Sequence, residues 1–169
     1  MSNIALPLRA NADEKRARYA EVTASIEALL AEEDDWIAAL ATVTCELHHA
    51  FEAFDWTGFY RVTRPELLVI GPYQGTHGCL RIPFSKGVCG AAARTKTTQL
   101  VPDVELFPGH IACSSTTRSE IVVPILRGDD VIAVLDIDSN AEAAFDEVDQ
   151  RALEAICVLL SERLRAARP

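Results

Sequence analysis

Two acidic residues, Asp136 and Asp138, interrupt the apolar run VIAVLDIDS. Side chains alternate along a strand, so both project from one face, about 7 Å apart. Glu120 opens the run SEIVVPIL; if the two runs pair in the right register, it brings a third carboxylate to the same end of the sheet. Carboxylates gathered in this way need a cation, a metal ion or a shared proton. A ligand ammonium would neutralise such a cluster and a carboxyl of raised pKa can donate a proton, which fits a small amino-acid substrate. The plainer alternative for Asp136 and Asp138 is that they bind turn amides or Arg118 at the strand end.

The five cysteines offer nucleophiles. Cys113 lies in LFPGHIACSSTTRS, a loop rich in Gly, Ser and Thr, which is the setting of a reactive thiol rather than a core one. Cys79 starts a strand, and Cys89 lies in GVCGAAA at a helix start, where backbone N–H groups favour a thiolate; either can equally be packed. Spacing does not say which pair bonds. His110 stands three residues before Cys113, but cysteine and histidine dyads are usually assembled from separate parts of a fold. No Cys-x-x-Cys occurs, so the usual spacing of structural zinc is missing and no metal is expected. Trp56 and Tyr60 share one face of a strand, as core or as the wall of an apolar pocket.

The elements that must position these residues come from a chain of 169 residues, long enough to bury about 69% of its unfolded surface without staples. The odd cysteine count argues against a secreted disulfide scaffold. A net charge of -9 repels phosphate backbones and anionic membrane surfaces. No apolar run reaches signal-peptide or membrane-spanning length, so a cytoplasmic protein that binds neither nucleic acid nor membrane is expected.

After an N-terminal arm (residues 1–12), Asn11 and Glu14 stand at capping-box spacing before a helix ending near Glu33. A second helix starts at about Asp35, with Trp36, Leu40, Val43, Leu47, Phe51 and Phe54 on one stripe and Cys45 on the opposite side. The period then drops to two: WTGFYRV and ELLVIG form a hairpin around Thr63 to Pro65. CLRIPF gives a third strand, GVCGAAARTK a short helix and TQLVPDV another strand; the loop Leu106 to Ser119 follows. SEIVVPIL and DVIAVLDID form a hairpin across RGDD, with Pro124 marking an edge or bulge. Asp146 caps a last helix, on whose apolar face Cys157 is a core residue. Sequential hairpins imply an α+β fold with a mainly antiparallel sheet of five or six strands.

The runs WTGFY, GPYQGTHGCLRIPFSKGVCGAAA, LVPDVELFPGHIAC, RSEIVVPI and VLDIDS, in this order, resemble the free methionine-R-sulfoxide reductases, which are single GAF domains. The likeness covers roughly Trp36 to Leu164, and the domain is placed at 13–167. It implies a six-stranded antiparallel sheet, with helices on one face and the active site under loops on the other. By resemblance, Cys113 is the catalytic cysteine, Cys79 closes a disulfide with it, and Cys89 is a third, auxiliary cysteine. Glu120, Asp136 and Asp138 match the carboxylates that hold the substrate, and Trp56 and Tyr60 the aromatic wall around its methyl-sulfinyl end.

The implied activity is reduction of free L-methionine-R-sulfoxide through a sulfenic acid and an intramolecular disulfide reset by thioredoxin. It needs no bound cofactor, belongs to the response to oxidative stress, and leaves a homodimer open. Ser114 stands where the family usually has an acidic residue, and Thr116 and Thr117 replace smaller ones. The alternatives are a ligand- or redox-sensing GAF domain without turnover, and a switch that only cycles the disulfide.

Overall fold

The computed structural model describes residues 4–109 and 115–163. Its elements run α1 (Ala12–Leu29), α2 (Trp36–Ala50), β1 (Trp56–Arg64), β2 (Leu67–Gln74), β3 (Arg81–Pro83), α3 (Gly87–Thr95), β4 (Gln99–Val101), a 3-10 turn (Val104–Leu106), β5 (Ser119–Arg127), β6 (Asp130–Ser139) and α4 (Glu147–Arg163). The strands form one sheet in the order β3-β2-β1-β6-β5-β4, with every neighbouring pair antiparallel.

Period-two patterning divides the sheet into two faces. Phe59, Ile121, Val123, Leu135 and Ile137 point to one face, where they pack with Val22 and Ile26 of α1, Leu40, Val43 and Leu47 of α2, and Leu153, Ile156 and Leu160 of α4. Trp56, Tyr60, Val122 and Val134 point to the other, where α3 supplies Val88, Cys89, Ala92 and Ala93. Three helices thus cover one face and leave the second to a single short helix and loops.

The capping signals act as the sequence implies. The Asn11 side chain accepts from the Asp13 and Glu14 amides while Glu14 reaches back to the Asn11 amide, and Asp146 accepts from the amides of Val148 and Asp149. Pro124 lies past the end of β4, which pairs only with Glu120 to Val122, so at that point β5 is paired only with β6, where Pro124 stands opposite Val134; a bulge follows at Ile125 and Leu126. No helix among the described residues is long and apolar enough to cross a membrane.

Two boundaries differ from the sequence expectation. Helix α2 ends at Ala50 rather than carrying its stripe to Phe54, because the chain opens there to pair with the N-terminal arm. The Leu6 amide donates to the Ala50 carbonyl at 2.8 Å and the Glu52 amide to the Leu6 carbonyl at 2.9 Å. Phe51 and Phe54 still enter the core, ring stacked on ring at 4.5 Å, so a turn imitates helical spacing. Helix α1 stops at Leu29, and the Glu33 side chain accepts from the amides of Asp34 and Asp35 instead of extending it.

Helix α1 is fastened to the start of α4 by a buried polar network. The Lys15 ammonium donates to Asp149 and, at 2.9 Å, to Asp146, while the Tyr19 hydroxyl donates to the other oxygen of Asp149 at 2.9 Å. Asp149 is 1% exposed, so loss of its charge leaves Lys15 unpaired in a site poor in water. Asp149→Ala is expected to lower stability by about 3 kcal/mol in urea unfolding, and Lys15→Met with Asp149→Leu to recover most of it. Equal stability of wild type and Asp149→Ala would remove the network from the forces that hold α1.

Candidate functional site

Antiparallel register assembles the carboxylates. Asp138 on β6 is paired with Glu120 on β5 and Trp56 on β1, and Asp136 with Val122 and Gly58. With β6 central, all three acidic residues fall on the face away from the three-helix layer, at the end where β1 begins. One pocket there is lined by Trp56, Tyr60, Thr76, His77, Gly78, Ile82, Gly87, Val88, Cys89, Thr117, Glu120, Asp136 and Asp138. The register alone therefore brings together every carboxylate and aromatic residue singled out in the sequence, and α3 adds Cys89.

The aromatic wall depends on a missing side chain. Gly58 lies between Trp56 and Tyr60, and a Cβ there would sit 2.5 Å from the Tyr73 Cβ and 2.6 Å from the Trp56 ring. Its absence lets the indole lie along the sheet, stacked on Tyr73 at 5.4 Å and on Tyr60 at 5.9 Å. The indole N–H donates to the Thr76 carbonyl at 2.8 Å, tying down the loop before Cys79. Gly78 continues the close approach: a Cβ there would meet Trp56 and the Tyr60 hydroxyl, each at 3.0 Å.

Electrostatics in the pocket are dominated by lost water. Burial pushes Asp136 up to about 6, although hydrogen bonds with Cys89 and Glu120 favour its charged form. Burial, and then the charge of Asp136, hold Glu120 and Asp138 well above the usual carboxylate range. Three such groups on adjoining strands cannot all ionise together, so protons stay in the cluster near neutral pH. The Tyr60 hydroxyl is held neutral by the same burial and the charge of Asp136. One oxygen of Asp136, Oδ1, is buried without a hydrogen-bond partner.

The cysteines divide by environment. Cys45 is exposed on α2 and Cys157 is buried in the core, both free, as their positions on the helix stripes imply. Cys89 is free and buried, but the thiolate expected at a helix start is not favoured: burial, followed by the charges of Asp136 and Glu120, pushes its pKa well above the ordinary thiol value. The carboxylates come from distant strands, so the local sequence carried no sign of that reversal. Cys79 is half-buried and disulfide-bonded. His110, Cys113 and Ser114 lie outside the described residues.

The sequence did not single out Gly58, Thr76 or Gly78. A glycine between two aromatic residues on one strand face, and another directly before Cys79, are the signals that point to the first and third. Thr76 contributes its backbone carbonyl, which no side-chain pattern reports. Donor atoms of Cys89, Glu120 and Asp136 all lie within 4.8 Å of one another, a grouping that sequence spacing does not reveal because it joins α3, β5 and β6.

The carboxylate cluster has a consequence for stability. A pKa raised on folding means that the cluster binds more protons in the folded protein than in the unfolded chain, so its contribution to stability is fullest below about pH 4 and is lost as pH rises through about 6. Each group contributes a slope of up to about 1.4 kcal/mol per pH unit in its window. Asp136→Asn is expected to flatten the decline between pH 5 and 7 in urea unfolding and to be more stable than wild type at pH 7. Superimposable pH profiles would mean that the cluster titrates alike in both states.

A model of the GAF domain family matches residues 35–164. GAF domain-containing protein A of Dictyostelium discoideum is 47% identical over 146 residues, covering 86% of this chain and 92% of that protein. A free methionine-R-sulfoxide reductase of Saccharomyces cerevisiae is 41% identical over 145 residues, covering 82% of this chain and 81% of the yeast protein. The crystal structure of a free methionine-R-sulfoxide reductase from Neisseria meningitidis, in complex with its substrate, superposes with a TM-score of 0.88 at 44% identity and covers 98% of both chains.

Proposed function

The chain belongs to the free methionine-R-sulfoxide reductases of the GAF domain family, and from that premise we propose that it reduces free L-methionine-R-sulfoxide to L-methionine. The observation that carries this reading is the meeting of three carboxylates with the Trp56 and Tyr60 wall in one pocket. An amino acid presents an ammonium group and, in its oxidised side chain, a compact methyl-sulfinyl group. The carboxylates neutralise the first and the aromatic faces pack against the second.

Selectivity for the free amino acid follows from the same contacts. A peptide-linked methionine sulfoxide carries an uncharged amide in place of the ammonium, so binding it would leave carboxylates buried and unpaired.

The reaction proposed begins with the Cys113 thiolate, whose attack on the sulfoxide sulfur forms an S–S bond. A proton held by the Glu120 and Asp136 pair goes to the sulfoxide oxygen. The S–S bond then breaks with its electron pair going to the substrate sulfur, which becomes the thioether of methionine, while the hydroxyl passes from that sulfur to Cys113, now oxidised by two electrons to a sulfenic acid. Cys79 condenses with that sulfenic acid, releasing water and forming a disulfide. A thioredoxin dithiol then reduces the disulfide by exchange and is itself oxidised. Cys79 in a disulfide while Cys45, Cys89 and Cys157 are free supports Cys79 as the resolving cysteine and Cys113 as its partner. Cys89 is the auxiliary thiol, beside the carboxylates but without a required step. No cofactor enters the cycle.

The test is NADPH consumption coupled through thioredoxin and its reductase, with the free R sulfoxide, the S epimer and an N-blocked sulfoxide as substrates. Turnover of the free R form is expected, with the N-blocked compound at least about a hundredfold poorer. Cys113→Ser is expected to lose turnover, and Cys79→Ser to release about one equivalent of methionine and then stall. Glu120→Gln should lower kcat/KM by on the order of a hundredfold. No turnover by folded, reduced protein would overturn the activity, and full activity of Glu120→Gln would remove that residue from the site.

A further inference from the structure

Going beyond the reductase reading, we propose that the pocket is also a site for a borderline-soft divalent cation of the Zn²⁺ type, held by Cys89, Glu120 and Asp136, and that this cation and the substrate exclude one another.

Geometry is the first ground. The Cys89 Sγ and one carboxylate oxygen each from Glu120 and Asp136 lie within 4.8 Å of one another, and all three residues are buried. Ligand atoms around tetrahedral zinc stand about 3.5 Å apart, given bonds of about 2.3 Å to sulfur and about 2.1 Å to oxygen. Small side-chain rotations therefore close the donors onto one ion, while α3, β5 and β6 keep their places. Glu120 and Asp136 are diagonal neighbours on paired strands, so the sheet fixes two of the three ligands in advance.

The second ground is independent of the clustering. Asp136 is 6% exposed and its Oδ1 has no hydrogen-bond partner, although buried carboxylate oxygens are almost always satisfied. That oxygen belongs to a side chain that lines the same pocket as Glu120 and Asp138, and the described residues lining it include no lysine or arginine. A cation is the missing charge.

The donor set selects the kind of cation. A substrate ammonium can take the carboxylates but gains nothing from a sulfur ligand, and Mg²⁺ and Ca²⁺ prefer six or more oxygens. One thiolate with two carboxylates suits Zn²⁺ or Co²⁺. Binding would displace the Cys89 proton and place the ion in the pocket that Trp56 and Tyr60 also line. The auxiliary cysteine thereby acquires a role in closing the pocket to substrate.

Titration of the disulfide form with Co²⁺ tests the site without turnover, so its outcome is separate from that of the reductase reading. One equivalent of Co²⁺ is expected to give a near-ultraviolet sulfur-to-cobalt charge-transfer band that Zn²⁺ abolishes. Cys89→Ser should lose the band and weaken Zn²⁺ binding at least tenfold in competition with a chromophoric chelator, and Cys89→Ala, checked for folding by circular dichroism, should do the same. Cys45→Ser should change neither property; it controls for the exposed Cys45 Sγ, 3.8 Å from His49 Nδ1. Adding free methionine-R-sulfoxide should weaken apparent Zn²⁺ affinity in proportion to its concentration. No band, a band that survives in Cys89→Ser, or one that vanishes in Cys45→Ser would overturn the site. Zn²⁺ affinity indifferent to the sulfoxide would overturn mutual exclusion.

Discussion

Two buried carboxylates, Glu120 and Asp136, with the half-buried Asp138 beside them on adjoining strands, are the constraint on which the pocket depends. Burial opposes their charge, and their mutual repulsion adds to that opposition, so the cluster retains protons or admits a positive group. A folded protein gains nothing in stability from such an arrangement. It gains a place where an ammonium can replace the missing charge, with a proton held nearby for transfer. The hydrogen bonds joining Cys89, Asp136 and Glu120 extend the same electrostatic unit to a thiol that resists ionisation because it is buried and because it faces the charges of Asp136 and Glu120.

The rest of the fold keeps this unit in position. The ladders of β5 and β6 and of β1 and β6 set the spacing of the acidic side chains, and the helix layer on the opposite face supplies the apolar burial that makes those ladders stable. Helix α1 lies outside the matched family region and completes that layer. Its buried ion pair with the start of α4 joins segments 134 residues apart in the sequence. On the site face, Trp56 belongs to the pocket wall and, through the Thr76 carbonyl, to the loop that leads into Cys79. The wall of the pocket is therefore tied to the loop that precedes a disulfide-bonded cysteine.

Several parts of this arrangement follow from short-range rules. Alternation in VIAVLDIDS placed Asp136 and Asp138 on one face, and the RGDD turn placed Glu120 on the neighbouring strand, because a tight turn fixes antiparallel register. The Asn11 and Asp146 caps involve residues two or three apart. Other parts failed for the same physical reason: local spacing does not report a distant competitor. The stripe from Trp36 to Phe54 has helical period, yet Leu6 takes the backbone bonds that would continue the helix. Cys89 sits where a helix start favours a thiolate, yet Asp136 and Glu120, from strands more than 30 residues away, reverse the preference.

The sequence by itself determined the element order, the α+β class, the two-faced patterning of the strands, and the residue types present for the chemistry. These are properties of neighbours along the chain, governed by backbone periodicity and capping. Only the tertiary structure decided how completely the carboxylates lose water, which thiol they face, and that an oxygen of Asp136 is left without a partner. It also decided that Gly58 and Gly78 make room for the indole. Each of these depends on the dielectric and the free volume created where separate elements meet, and neither exists until the sheet, α3 and the loops have packed together.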